Sequence, residues 1–286
     1  MMRPTSRQAL AILLTTLALA LAWQGMIALG GWRARFGESN YIANRIRLED
    51  YLLLPSAPRH VLVGSSLSGR LLPEFFAGTA LADFATLGLD GSIPLVGLEA
   101  LAQRPDLPSM VFIETYLMEK PWSTNDQVLV DGLRSPGTEL ARRVPVTRAA
   151  NRPSSILYSA VKARRDGADA GNVVTNEPAV REPGPAVIPN PVAPAVLDRW
   201  RTMLTSLAQR GVKVVLVDLP SGESRMPGPL ASPDLVAVLA GDFKLSRIDL
   251  RAEWFGRGWR PTYTDGRHLD AASAKATARM LTEARF

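Results

Sequence analysis

Three regimes of apolar and polar positions follow one another along the chain. Between Arg7 and Arg33 no charged residue occurs, and QALAILLTTLALALAWQGMIALGGW is apolar on every face. At about 1.5 Å per residue it is long enough to cross a bilayer core of about 30 Å. A single spanning helix is predicted from about Ala9 to Leu29, with Trp23 and Trp32 toward its C-terminal end, where amphipathic rings favour the interface. Residues 40–54, NYIANRIRLEDYLLL, carry apolar positions at helical spacing and predict a helix leading into a domain. Beyond residue 60 come short, β-branched-rich apolar runs: HVLVG (60–64), ADFATLG (82–88), MVFIET (110–115), VKVVLVDLP (212–220) and SRIDL (246–250). Such runs are the signature of strands buried on both faces. Helical stretches at 68–76, 92–103, 194–210, 230–240 and 270–284 separate them, so the alternation predicts an α/β fold with a parallel sheet between helices.

The interval between the third and fourth runs is too long for one crossover. An insertion is predicted at about 120–195. Its first part, 135–166, holds one or two helices with Arg142, Arg143, Arg148, Arg152, Arg164 and Arg165, and its second, NEPAVREPGPAVIPNPVAP (176–194), is a proline-rich extended segment. An insertion of this kind makes a lid, a binding rim or a partner surface, or is a surface excursion without function. The chain divides into residues 1–32, the membrane segment, and 33–286, one domain with its insertion.

Composition narrows the chemistry. A hydrophobic share of 47% against 21% charged residues supplies a sizeable core. The absence of cysteine removes disulfides, thiolate zinc sites and cysteine nucleophiles together. The net charge of +6 would suit a nucleic-acid or acidic-polymer partner, but its arginines are scattered through an Ala-, Pro- and Gly-rich sequence, a pattern that genome composition alone also produces. With no basic stripe among aromatics, no nucleic-acid partner is expected. A cleaved signal peptide competes with the anchor, because AILLTTLALALA is an apolar core and Ala18-Leu19-Ala20 has the small-x-small form. Apolar sequence continues well past that site, which favours the anchor. Arg3 and Arg7 face Arg33 and Arg35 across the span, too even a balance to set orientation. A short tail before one apolar segment resembles an export signal, which places residues 33–286 outside the cytoplasm.

Candidate chemistry gathers at two places. VLVGSSLSG (61–69) puts serines directly after a buried strand, at the kind of strand-to-helix turn where parallel sheets carry their sites. Ser66 there is near a predicted helix N-terminus, whose N–H groups can stabilise an oxyanion; capping is the alternative role. A serine hydroxyl needs a general base, and the base needs an acid to hold its tautomer. TDGRHLD (264–270) supplies His268, one of two histidines in the chain, with Asp265 three residues before it. His60 lacks such a neighbour and reads as structural.

GSSL (64–67) resembles the Gly-Asp-Ser-Leu block of the SGNH, or GDSL, hydrolase superfamily, and DGRH (265–268) its C-terminal Asp-x-x-His block. The resemblance covers roughly residues 58–284. It implies a flavodoxin-like three-layer fold with Ser66 as nucleophile, His268 as base and Asp265 as orienter. It further implies an oxyanion hole from the N–H groups of Ser66 and Gly88. The family's third block departs: where those enzymes carry asparagine, this chain reads IETYLME, leaving Thr115 or Tyr116 as substitute donors, a slower enzyme, or a degenerate site. Glu114 orients that loop or is an ordinary strand-end carboxylate. A rival reading makes Gly64-Ser65-Ser66-Leu67-Ser68 a damaged G-x-S-x-G elbow with Asp218 as acid, but that fold needs strands before the nucleophile.

An exported, tethered domain of this kind is similar to the proteins that O-acetylate bacterial exopolysaccharides such as alginate and cellulose. That resemblance implies an inner-membrane protein with its domain in the periplasm, moving an acetyl group through acyl-Ser66 to polysaccharide hydroxyls. It also implies a membrane-bound O-acyltransferase partner as acyl donor and neither cofactor nor metal. Two alternatives stand: an esterase or deacetylase releasing the acyl group to water, and a non-catalytic assembly subunit of a polysaccharide acetylation or secretion complex.

Overall fold

Each of the five apolar runs is a strand in the computed structural model, which describes residues 6–165, 193–222, 233–264 and 267–285. Strands β1 (His60–Ser65), β2 (Phe84–Leu89), β3 (Met110–Glu114), β4 (Lys213–Asp218) and β5 (Ser246–Asp249) form one sheet in the order β2-β1-β3-β4-β5. Every pairing is parallel, from His60 opposite Phe84 to Asp218 opposite Asp249. This is the flavodoxin-like order. The helices are α1 (Ser6–Gly30), α2 (Asn40–Leu52), α3 (Pro94–Ala102), α4 (Thr124–Arg134), α5 (Pro136–Arg143), α6 (Pro153–Arg165), α7 (Pro194–Gln209), α8 (Pro233–Phe243), α9 (Leu250–Gly256) and α10 (Ala271–Glu283).

Side-chain alternation along the strands sorts the core into two layers. Val61, Val63, Val111, Ile113, Val214 and Leu216 pack with α2, α3, α4, α7 and α8. Leu62, Phe112, Val215 and Val217 point the other way, onto Phe76, Trp254 of α9 and Met280 and Leu281 of α10. Burial on both faces is why the strands read as unbroken apolar runs.

One local expectation needs correction, and two helices add to those expected. The helix predicted at 68–76 is two 3-10 turns, Ser68–Arg70 and Pro73–Phe76. Pro73 forces Leu72 into extended backbone and breaks the run. Helix α4 adds to the expected helices, and a capping box in STND (123–126) starts it: the Ser123 hydroxyl accepts from Asp126 N–H while the Asp126 carboxylate accepts from Ser123 N–H. Helix α9, likewise unpredicted, is capped by Asp249, whose carboxylate accepts from Ala252 N–H.

The insertion is built into the domain. Its first part holds α4, α5, two 3-10 turns (Pro145–Thr147 and Ala149–Asn151) and α6. Glu49 of α2, buried, accepts from Ala149 N–H at 2.7 Å and from Arg45 Nε at 2.7 Å. The proline-rich segment 176–194 lies outside the described residues except at its last two. Helix α1, at 25 residues, is long and apolar enough to cross a membrane. Its C-terminal turns dock on the insertion: Trp23 Nε1 donates to the Asn151 carbonyl at 2.9 Å, Val146 N–H donates to Gln24 Oε1 at 2.9 Å, and Ile27 is buried.

Candidate active site

In this strand order the chain leaves β1 toward β2 on one side and returns to β3 on the other, so the carboxyl ends of β1 and β3 border the crevice where α/β sheets bind ligands. Ser66 follows the last residue of β1, and Thr115 and Tyr116 follow the last residue of β3. Ser66 is half-buried between Ser65 and Leu67, which are both buried.

Glu114 builds the turn that presents Ser66. Its carboxyl group is fully buried and takes four donors: Ser65 N–H at 2.9 Å, Ser65 Oγ at 2.6 Å, Ser68 N–H at 3.0 Å and Ser68 Oγ. Three of the four converge on one oxygen, Oε2. Burial pushes this carboxyl above its usual range, and the hydrogen bonds from Ser65 and Ser68 oppose that push. Residue 64 must be glycine, because a Cβ there would lie 2.1 Å from Ser68 Oγ and 2.3 Å from Glu114 Oε2. The turn leads into a three-residue 3-10 segment, so the helix N-terminus predicted beside Ser66 is not there.

His268 reaches this turn from the far edge of the sheet. Its Nε2 lies 2.7 Å from Ser66 Oγ, across 202 positions of sequence. The loop carrying it is pinned on several sides. Thr264 N–H donates to the His268 carbonyl at 2.9 Å, and Tyr263 and Leu269 form an antiparallel bridge. Asp270 caps α10, accepting from Ser273 N–H at 2.7 Å and from Thr262 Oγ1. Burial pushes the Asp270 carboxyl up, but the hydrogen bonds from Thr262, Ser273 and Ala272 together outweigh it and hold the carboxyl below its usual range. Arg267 adds two ties, its carbonyl accepting from Gly222 N–H at 3.1 Å and its Nη2 donating to Tyr116 Oη at 2.8 Å. Asp265, the predicted orienter, lies outside the described residues.

The predicted oxyanion donors separate. Gly88 is opposite Gly64 in the β1–β2 ladder and packs on the turn after Ser66, where a Cβ would come 2.1 Å from the Gly69 nitrogen. Thr115 is turned away: its hydroxyl donates to Asp218 Oδ1, which spends its single proton, and it is buried. That removes Thr115 as a substitute for the missing asparagine. Tyr116 carries the Arg267 guanidinium 5.1 Å from its ring centroid as well as on its hydroxyl. Asp218 is bound to Thr115 and to Arg247 Nε at 2.7 Å, the partners of a structural ion pair rather than of a histidine. His60 sits at the opposite end of β1, with Nδ1 3.2 Å from the Asp83 carbonyl.

Sequence reasoning missed the support from α2. Asn44, buried, accepts from Asp90 N–H at 2.8 Å and donates to the Asp90 carbonyl at 3.0 Å and Ser92 Oγ at 3.3 Å. Arg47 donates to the Gly88 carbonyl at 2.9 Å and pairs with Asp90 at 2.9 Å. Helix α2 thus clamps the loop that leaves Gly88. A buried polar residue in an amphipathic helix was the only signal available.

No family model matches the chain, and no curated protein matches it as a relative.

Proposed function

We propose that the chain is a membrane-anchored, extracytoplasmic serine acyltransferase that carries an acetyl group on Ser66 and hands it to a polysaccharide hydroxyl. The observation that carries this reading is the 2.7 Å contact between Ser66 Oγ and His268 Nε2 at the crevice of a parallel sheet. Ser66 Oγ attacks the acyl carbonyl while His268 Nε2 takes its proton. The tetrahedral adduct collapses, the bond to the donor's leaving oxygen breaks, and His268 returns the proton to that oxygen. In the second half the acceptor hydroxyl attacks acyl-Ser66, its proton passes to Nε2 and on to Ser66 Oγ, and the ester of the acceptor leaves. Asp265 is assigned the part of holding the imidazole tautomer, and the N–H groups of Ser66 and Gly88 that of the oxyanion hole.

The fold supports the anchored setting, since α1 is docked on the same domain that carries Ser66. The acyl donor in this reading is a membrane-bound O-acyltransferase, and the inner membrane and periplasm are the setting. Hydrolysis is the second reading, favoured by the partial exposure of Ser66, which opens acyl-Ser66 to water as well as to an alcohol.

Intact-protein mass spectrometry on the purified full chain after exposure to an activated acetyl ester tests the proposal. One acetyl group is expected on the parent and none on Ser66→Ala or His268→Ala. An adduct that persists in water and is discharged by polysaccharide identifies the transferase; rapid loss in water alone identifies the esterase. A folded parent that takes no acetyl group refutes both and leaves an assembly subunit.

A further inference from the structure

Helix α6 is built inside out. Its buried side chains are serines, Ser155 and Ser159, with Ile156 packed partly buried beside them on Ala149 and Ala150. Ser155 donates to Glu38 Oε2 at 2.9 Å, and Ser159 Oγ donates to the Phe36 carbonyl at 2.9 Å while accepting from the N–H groups of Arg35 at 3.1 Å and Phe36 at 2.9 Å. Its large apolar side chains face outward instead, with Leu157 at 67%, Tyr158 at 40% and Val161 at 56% exposure, beside exposed Ser154 and Arg164. A helix facing water shows the reverse arrangement. Apart from α1, no other helix among the described residues exposes three large apolar side chains.

The position of α6 says what covers that face. Its serines hold residues 35, 36 and 38, which begin five positions after α1 ends at Gly30. The segment just before α6 is bonded to α1 itself, through Trp23 to the Asn151 carbonyl and Gln24 to Val146 N–H. From Ala9 a helix rises about 21 Å to Trp23 and about 30 Å to Leu29, so Trp23 lies in the last third of a hydrocarbon core about 30 Å thick. Residues 145–151, bonded at Trp23 and Gln24, therefore stand toward the end where α1 leaves the hydrocarbon, and α6 starts two residues later. The helix also carries Lys162, whose ammonium lies 5.4 Å from the Phe36 ring centroid, and exposed Arg164, cations suited to an anionic headgroup layer.

We infer that α6 lies in the headgroup region of the bilayer that α1 crosses, with Leu157, Tyr158 and Val161 entering the acyl boundary. The inference rests on α1 being a span and is independent of the acyl-transfer reading. Continuity with the exit of α1 and the flanking cations favour lipid as the occupant over a protein. With α1 docked on the insertion and α6 in the interface, the sheet is held at a fixed attitude to the bilayer, and Ser66 at a fixed height above it.

The chain contains no cysteine, so single cysteines report without background. The full chain carrying Leu157→Cys, Val161→Cys, Leu19→Cys in α1 or Lys275→Cys in α10 is labelled with an environment-sensitive fluorophore and reconstituted in phosphatidylcholine–phosphatidylglycerol vesicles. Positions 157 and 161 are expected to show blue-shifted emission quenched by lipids spin-labelled near the headgroup. Position 19 is expected to be quenched by deep acyl-chain labels, and 275 by neither. Quenching at 19 without quenching at 157 and 161 overturns the proposal and leaves the span standing; no quenching at 19 overturns both. A blue shift at 157 and 161 in native membranes, without quenching in lipid vesicles, assigns the face to a protein partner and overturns the lipid assignment.

Discussion

Replacing Glu114 by alanine removes the one acceptor shared by Ser65 and Ser68. Two buried N–H groups then lose their partner, and each unsatisfied buried polar group costs about 1–3 kcal/mol. The two hydroxyls can rotate to other acceptors, and deleting a buried carboxyl group recovers part of its desolvation cost. The net loss in unfolding free energy is expected to be about 2–4 kcal/mol. Glu114→Gln is the informative companion. Three of the four donors meet on Oε2, so a glutamine that places its oxygen there keeps them and turns its amide toward Ser65 Oγ. Its expected cost is about 1 kcal/mol. Ser66 stands between the two serines that Glu114 holds, and misplacing a reacting group by about 1 Å lowers a rate about 10²-fold. Glu114→Ala should therefore slow acetyl-adduct formation by about that factor, with Glu114→Gln close to the parent. Urea denaturation and the time course of adduct mass check both. An alanine variant with parental stability and parental adduct rate would refute Glu114 as the brace of the Ser66 turn; a glutamine variant as impaired as alanine would refute the role of the shared oxygen.

Gly88→Ala drives a Cβ into the Gly69 backbone, so the turn after Ser66 must move; a loss of about 1–3 kcal/mol and a slowed adduct are expected in the same two assays. Thr115→Val removes one hydrogen bond to Asp218, which keeps Arg247. A loss of about 1 kcal/mol with an unchanged adduct rate is expected, and a large drop in that rate would return Thr115 to the site. Hydrogen bonding from the Arg104 side chain holds the Asp106 carboxyl down to about 2. Because this value is depressed, the stabilisation is present above the ordinary carboxylate value of about 4 and is lost as pH falls toward 2. Asp106→Asn should flatten stability against pH in that window, measured by denaturation at pH 5, 3 and 2.

Much of the architecture was legible along the chain. Five apolar runs marked five strands within one or two residues at most ends, because a strand buried on both faces has no polar period to hide it. The helices at 92–103, 194–210, 230–240 and 270–284 were legible from their periodicity. Helices α4 and α9 were missed because their signals are caps, Ser123 with Asp126 and Asp249, rather than apolar stripes. Within the site, motif spacing singled out Ser66 and His268, yet nothing local announced that Thr115 would spend its proton on Asp218.

The sequence by itself determined the kind of elements, their order, the apolar length of α1 and the residue types available for chemistry, since these depend on periodicity and composition within a few positions. Tertiary structure alone decided which polar atoms meet. Glu114 is 49 positions from Ser65, Asp218 is 103 from Thr115, Asn151 is 128 from Trp23 and Ser66 is 202 from His268. Contacts over such separations are set by strand order and by which loop crosses which strand end, and a hydrogen bond exists only once that order has brought donor and acceptor within about 3 Å.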